Sequence, residues 1–152
     1  MTWSWLRAQR LVFALAPALA LGALLVGDSP LSAQQPLSDA ADAVASSWAG
    51  GDADAIARVL SPGGVALHLL DQSQPAAGVR QARAALADLL TGGGSARVVR
   101  VEELGGTPRR GFAELDWEVR DPGSPGGLRY VVFLGFVEEE EGWRIAELRV
   151  LR

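Results

Sequence analysis

The sequence predicts an α+β domain in which three N-terminal helices pack on a curved, mainly antiparallel sheet to form a cone-shaped roll. Apolar residues first recur at helical spacing, and residues 97–151 then divide into four strand-like runs separated by turn-rich segments. Residues 128–137 form an almost unbroken apolar run in which both side-chain parities are apolar. A strand at this position needs cover on both faces, by helices or by another subunit.

Residues 1–33 have the pattern of a secretory signal peptide. Arg7 and Arg10 precede an apolar run at residues 11–26, and small residues lead to Ala33. The apolar run is shorter than the ~20 residues that span a bilayer. We therefore expect cleavage after Ala33 and an exported, periplasmic or extracellular protein, with an uncleaved membrane anchor as the alternative.

Composition excludes several classes of site. The 152-residue chain has no cysteine, which rules out disulfides, thiolate metal ligands and a cysteine nucleophile. Its 14 basic residues are all arginine and face 18 acidic residues, and no basic cluster extends beyond Arg109 and Arg110. A net charge of −4 without a basic patch argues against nucleic acid as a partner.

The helices follow a polar linker at residues 34–37, and the domain is expected to occupy residues 38–152. Ser38 is the predicted N-cap of the first helix, Asp52 caps a short second helix, and residues 79–90 form the third. The apolar face of the first helix contains Ala41, Val44, Ala45 and Trp48.

The first predicted strand is residues 65–70, and a polar loop at residues 71–77 contains Pro75. Four further strands are expected at residues 97–104, 111–120, 128–137 and 143–151. The short connections between them favour an antiparallel meander. Because the run at residues 128–137 has a second apolar face, we expect a homodimer through the sheet.

This order of elements resembles the nuclear transport factor 2-like superfamily, whose members fold as a cystatin-like cone with helices against a bent sheet. Residues 48–56, which join the first two helices, and the closing strand at residues 142–150 carry the resemblance. The third-helix phrase Arg80-Gln81-Ala82 is similar to small exported bacterial members without an assigned function. The superfamily contains isomerases, dehydratases, cyclases and non-catalytic binding modules, so the resemblance leaves the activity open.

The resemblance assigns no catalytic residue. Ketosteroid isomerase members use a carboxylate base with a tyrosine and a protonated aspartic acid. This chain has one tyrosine, Tyr130, on a predicted strand, and its first helix has none.

Five residues are candidates for the walls of a ligand pocket. Tryptophan and tyrosine suit a flat apolar ligand, although core packing is the more ordinary role for the tryptophans. His68 is the only histidine, and its parity opposes that of Leu67, so it could enter a pocket beside Asp71 for acid/base work or serve a structural role. The candidates are Trp48, His68, Asp71, Trp117 and Tyr130.

Other polar clusters favour ordinary surface roles. Glu114, Asp116 and Glu118 share one parity, which fits a solvated strand face better than a calcium or proton-transfer site. Residues 138–141 are typical of a charged hairpin tip, and the glycines at residues 92–94 lack the residues of a phosphate-binding loop. The sequence predicts no metal site and no cofactor.

The sequence favours an exported, non-catalytic domain that binds a small apolar ligand or another protein. One alternative is a small-molecule isomerase, dehydratase or hydrolase with His68 or Asp71 as the base. Another is a structural module that dimerises through its sheet. Contact with a membrane is expected only through an uncleaved signal segment.

Overall fold

A computed structural model describes residues 35–120, 123 and 126–152, so the predicted signal peptide lies outside the described residues. The helices are α1 (Leu37–Ala49), α2 (Ala53–Arg58) and α3 (Val79–Leu89), and α3 continues into a 3-10 turn at Leu90–Gly92. The strands are β1 (Val65–Leu69), β2 (Gln72–Ala77), β3 (Ser95–Gly105), β4 (Arg110–Val119), β5 (Leu128–Glu139) and β6 (Gly142–Leu151). This confirms the α+β class, but two helices precede the sheet and α3 follows β2.

The helix α1 begins one residue before the predicted N-cap. Pro36 occupies the capping position with φ −55°, and Ser38 lies in the first turn. Proline suits this position because its fixed φ matches the helix and the first turn needs no N–H from it. Asp52 caps α2 as predicted, since its carboxylate accepts a hydrogen bond of 2.8 Å from the backbone N–H of Ala55.

The six strands form one sheet in the order β2-β1-β6-β5-β4-β3. All neighbouring pairs are antiparallel except β1 and β6, which are parallel. The prediction of a loop at residues 71–77 is wrong, because Gln72–Ala77 forms the edge strand β2. Only one side of an edge strand pairs, so Pro75 is tolerated there, and the mostly exposed strand has no apolar alternation that would reveal it.

The sheet has two chemically different faces. The helix-facing side contributes Leu115, Trp117 and Leu134 to one buried core with α1 and α3. The opposite side, which we call the outer sheet face, carries Glu114, Asp116 and Phe133. Each fully buried leucine stabilises the folded state by about 1.5–3 kcal/mol relative to an exposed one. Burial of this core therefore explains why the helices pack on this side of the sheet. Among the described residues, no helix combines the length and apolarity needed to cross a membrane.

Candidate functional site

Three of the five predicted pocket residues lie together on the helix-facing side. Trp48 of α1 contacts Trp117 of β4 edge to face, with 5.6 Å between ring centroids. Trp117 pairs in register with Tyr130 of β5, and their ring centroids are 5.2 Å apart. Trp48 and Trp117 are 0% and 2% exposed. The tryptophans are therefore part of the packed core.

The same two tryptophans carry buried indole N–H groups that have no hydrogen-bond partner among the described residues. The backbone of Gly94 passes close to Trp117, since a Cβ at this position would lie 3.0 Å from the indole nitrogen. It would also lie 2.3 Å from the carbonyl oxygen of Glu118. Only glycine fits between these groups, so the glycine-rich segment closes this end of the core.

The other two predicted residues, His68 and Asp71, lie elsewhere. Leu67 and Leu69 of β1 point into the core, so strand alternation directs His68 to the outer sheet face. There its Nδ1 lies 2.9 Å from the hydroxyl oxygen of Ser73. Asp71 is exposed in the turn between β1 and β2 and lines a shallow cavity of about 230 Å³ against the end of α3. The structure thus separates both acid/base candidates from the tryptophan cluster.

The outer sheet face has an apolar centre. Phe112 and Phe133 stack there with 5.3 Å between ring centroids, and the guanidinium of Arg100 lies 5.0 Å from the Phe112 ring. Val131 is 43% exposed and pairs in register with Leu151, which is 53% exposed. A depression of about 360 Å³ lies beside this centre, lined by residues that include Phe112, Phe133, Gly135 and Ala146.

Charges of both signs surround that apolar centre. Asp116 accepts a hydrogen bond of 2.8 Å from Arg97 and lies 3.6 Å from Arg129. Arg100 lies 2.7 Å from Glu102 and 4.0 Å from Glu114. Arginines of β3 and β5 therefore pair with the acidic residues of β4, as expected for a solvated strand face. Exposed pairs of this kind contribute about 0–1 kcal/mol each to stability. Their main consequence is a surface that carries charges of both signs.

A second concave surface, which we call the helical groove, lies between α1, α2 and the sheet. Its volume is about 180 Å³. Trp143 lines it and donates a hydrogen bond of 2.9 Å from its indole nitrogen to the backbone oxygen of Gln35. The lining residues are Gln35, Ala40, Ala43, Val44, Ser47, Ala55, Ile56, Val59, Phe136 and Trp143.

Sequence reasoning missed this groove. The signal that could have found it is the recurrence of small residues at Ala40, Ala43 and Ser47, which share one side of α1. Small side chains on a helix leave space against whatever packs beside them. Trp143 also lines the groove, and its indole bonds to the chain segment that leads into α1.

Ion pairs between arginines and carboxylates shift the pKa of their members. The hydrogen bond from Arg83 lowers the pKa of Asp54 below its ordinary value of 3.8, against a smaller opposing effect of burial. The hydrogen bond to Glu103 raises the pKa of Arg109, whose guanidinium lies 5.3 Å from the Trp143 ring. In the part of the chain that the structure describes, no three acidic or histidine side chains are grouped to hold a metal ion.

Solved structures identify the fold as that of the nuclear transport factor 2-like proteins, which are also described as cystatin-like. This confirms the architecture predicted from the order of elements. No protein-family model matches the sequence, and a search of curated proteins finds no match.

Three solved bacterial proteins illustrate the likeness. A DUF4783 family protein from Bacteroides uniformis has a TM-score of 0.59 at 17% identity and covers 72% of this chain and 94% of its own. An NTF-2 like protein of unknown function from Shewanella oneidensis has a TM-score of 0.57 at 14% identity, covering 75% and 94%. A domain of unknown function with a cystatin-like fold from Nostoc punctiforme has a TM-score of 0.58 at 15% identity, covering 72% and 70%. Identities this low establish the fold alone.

Proposed function

We propose that this protein is an exported, non-catalytic interaction domain that self-associates through its outer sheet face. The observation that carries the proposal is the apolar centre of that face, where Val131 is 43% exposed beside the stacked rings of Phe112 and Phe133. Apolar groups in contact with water are stabilised when a second surface covers them.

The charge pattern favours a second copy of the same chain as the partner. A two-fold interface brings one surface against itself, so that surface must be self-complementary. The outer sheet face presents both Arg97 and Asp116 on one side of the apolar centre, and both Arg149 and Glu147 on β6. A two-fold rotation can therefore set each acid against an arginine of the other copy.

The outer sheet face is also large enough for a stable dimer interface. At a strand spacing of ~4.8 Å and a rise of ~3.3 Å per residue, six strands of the observed lengths cover about 850 Å². A standard interface buries about 800 Å² on each partner. The sheet thus supplies the area of a stable dimer without help from the loops.

The alternatives receive less support. The tryptophan cluster, predicted as a ligand pocket, is filled by its own side chains, since Trp48 and Trp117 contact each other with almost no exposed surface. The predicted base His68 lies on the outer sheet face with Ser73 as its partner, and Asp71 lies in an exposed turn. An acid/base mechanism needs such groups to converge on one substrate position.

Native mass spectrometry tests the proposal. The full chain is expressed with its leader in a bacterial host and isolated from the periplasm. We expect a dimer at micromolar concentration, in which each chain has lost residues 1–33. A bound molecule that leaves on denaturation would instead support the ligand-binding alternative, and a retained leader would contradict cleavage after Ala33.

The variant Val131→Glu probes the interface directly. It places a carboxylate in the apolar centre next to Asp116, its register partner on β4, so we expect dimer affinity to fall at least about tenfold. Leu70→Glu is the matched control, because Leu70 is 47% exposed but lies in the turn after β1. A monomeric wild type, or a Val131→Glu dimer as tight as the control, would refute self-association through this face.

A further inference from the structure

The depression of about 360 Å³ on the outer sheet face, which we call the socket, is open because β5 has no side chain at its centre. Gly135 shares the outward parity of Phe133 and Val137, and all three line the socket. A Cβ at Gly135 would lie 3.1 Å from the Cβ of Glu147, so the neighbouring strand β6 crowds this position. An apolar cavity of about 150 Å³ holds a benzene molecule. The socket therefore has room for an aliphatic side chain.

Two exposed aliphatic side chains lie at the other end of the apolar centre. Val131 on β5 is 43% exposed, and its register partner Leu151 on β6 is 53% exposed. Val131 precedes Phe133 by two residues, and Gly135 follows Phe133 by two residues. A projecting apolar pair and an apolar depression thus lie at equal distances from Phe133 along the same strand.

This spacing matches one of two simple ways in which two copies of the sheet can pack face to face. The two-fold axis of such a dimer lies between the sheets and runs either across the strands or along them. One axis across the strands follows the register row of Glu114, Phe133 and Arg149. Residues at equal distances on either side of that row then face each other. Val131 of each copy therefore faces Gly135 of the other.

The same rotation brings opposite charges together on β4. Glu118 and Arg110 lie four residues to either side of Glu114, and both project from the outer sheet face. Arg110 lines the socket, and its guanidinium has no ion-pair partner in the part of the chain that the structure describes. Glu118 lies 3.8 Å from Arg129, which is longer than a hydrogen bond. Glu118 of one copy is therefore available to pair with Arg110 of the other.

Charged residues on the axis face their own counterparts, and each has a partner within its own chain. Arg149 pairs with Glu147, and Glu114 lies 4.0 Å from Arg100. Neither meets its counterpart as an uncompensated charge. Phe133 meets Phe133 of the other copy, which joins the two apolar centres.

An axis along β5 gives a poorer match. It sets Val131 against Val131 and Gly135 against Gly135, so the two sockets face each other and receive no side chain. It also sets Arg110 of β4 against Arg144 of β6, because both lie in the register row of Val137. Like charges that face each other across an interface weaken binding.

We propose that the socket receives Val131 of a second copy of this chain, in a two-fold dimer whose facing strands run antiparallel. This inference rests on the self-association proposed above and specifies how the second copy docks. Burial of Val131 supplies hydrophobic stabilisation, and the pairs between Glu118 and Arg110 fix the orientation.

Charge reversal tests this orientation. Glu118→Arg sets arginine against arginine, and Arg110→Glu sets glutamate against glutamate, so each variant alone should dimerise at least about tenfold more weakly than the wild type. An equimolar mixture restores both opposite pairs, and native mass spectrometry should show more heterodimer than either homodimer. Glu140→Arg is the matched control, because Glu140 is exposed in the turn after β5, and it should dimerise like the wild type.

The wild type separates the two proposals. A monomeric wild type refutes self-association itself. A dimeric wild type with charge-reversed variants that dimerise as tightly as Glu140→Arg, or that form homodimers and heterodimers at random, keeps the interface but overturns this docking. Recovery of the heterodimer on mixing also shows that both variants are folded.

Cross-linking provides an independent test, because the chain has no cysteine of its own. Arg129 and Val137 lie four residues to either side of Phe133, so Arg129→Cys of one copy should face Val137→Cys of the other. A short bis-maleimide should link the mixed variants. Neither variant should link to itself, since identical cysteines are then about 26 Å apart at ~3.3 Å per residue. Self-linking of each variant would instead establish the axis along the strands and refute the proposal.

Discussion

Asp54 and Arg83 form an exposed ion pair that joins α2 to α3. The hydrogen bond from Arg83 is the main cause of the lowered pKa of Asp54, and its charge and that of Arg58 act in the same direction. Because the folded state lowers this pKa, the pair stabilises the protein above the unfolded pKa of Asp54. That stabilisation is lost as the pH falls through the lower folded value.

We therefore expect the carboxyl carbon of Asp54 to titrate below pH 3.8 in a ¹³C NMR experiment, and Arg83→Gln to return the midpoint towards 3.8. Arg80→Gln removes an exposed arginine from the same helix and serves as the control. A midpoint that ignores Arg83→Gln, or that follows Arg80→Gln equally, would show that the pair does not set the pKa.

Individual side chains differ in how far the sequence predicts their position. Trp117 and Tyr130 could be grouped because both lie on apolar strand faces, but their contact depended on the register of the β4–β5 hairpin. The structure pairs them directly. His68 was harder to place. Its parity shows that it lies on the opposite strand face from Leu67, but the sequence alone does not identify which of the two faces packs against the core.

Among the connecting elements, the segment between α3 and β3 has the tightest steric requirement. Gly94 packs its backbone against the Glu118 carbonyl and the Trp117 indole, as described above. Any side chain at this position must move β3 away from β4 or displace the indole. Close packing of the backbone thus explains the glycine at position 94, whereas Gly93 has open space around it and a positive φ of 60° that glycine adopts readily.

We expect Gly94→Ala to destabilise the fold by roughly 1–3 kcal/mol, because its Cβ would overlap the Glu118 oxygen. Gly63→Ala is the control, since a Cβ there meets only Ser61 at an ordinary 3.7 Å. Urea unfolding of both variants measures the difference. Similar midpoints for the two alanine variants would contradict the close packing at Gly94.

Whole elements were predictable where apolar periodicity was strong. The helices α1 and α3 and the strands β4 and β6 each have one buried face, and β5 is an almost unbroken apolar run, so sequence reasoning located all five. The edge strand β2 has no such face, and neither its pairing with β1 nor the parallel pairing of β1 with β6 leaves a local signal. Such long-range pairing depends on the assembled sheet.

At the scale of the molecule, the sheet order places β6 and β5 at the centre and β2 and β3 at the edges. Central strands open only when the whole sheet opens, whereas an edge strand with one partner frays alone. Stability should therefore decline from the centre of the sheet outwards.

Hydrogen exchange followed by mass spectrometry checks this gradient. Peptides from β5 and β6 should exchange at least about ten times more slowly than peptides from β2. Because β2 carries few buried side chains, it should be the first strand to exchange. Protection of β2 equal to that of β5 would be inconsistent with an open edge.

The parallel pairing of β1 with β6 also governs the order in which a growing chain can fold. The hairpin β1–β2 has no place in the sheet until β6, the last strand in the chain, lies between β1 and β5. A polypeptide emerging from the ribosome must therefore expose the apolar side of β1 until residues 142–151 have been synthesised. Completion of the sheet therefore waits for the synthesis of β6, however early the helices and the β1–β2 hairpin leave the ribosome.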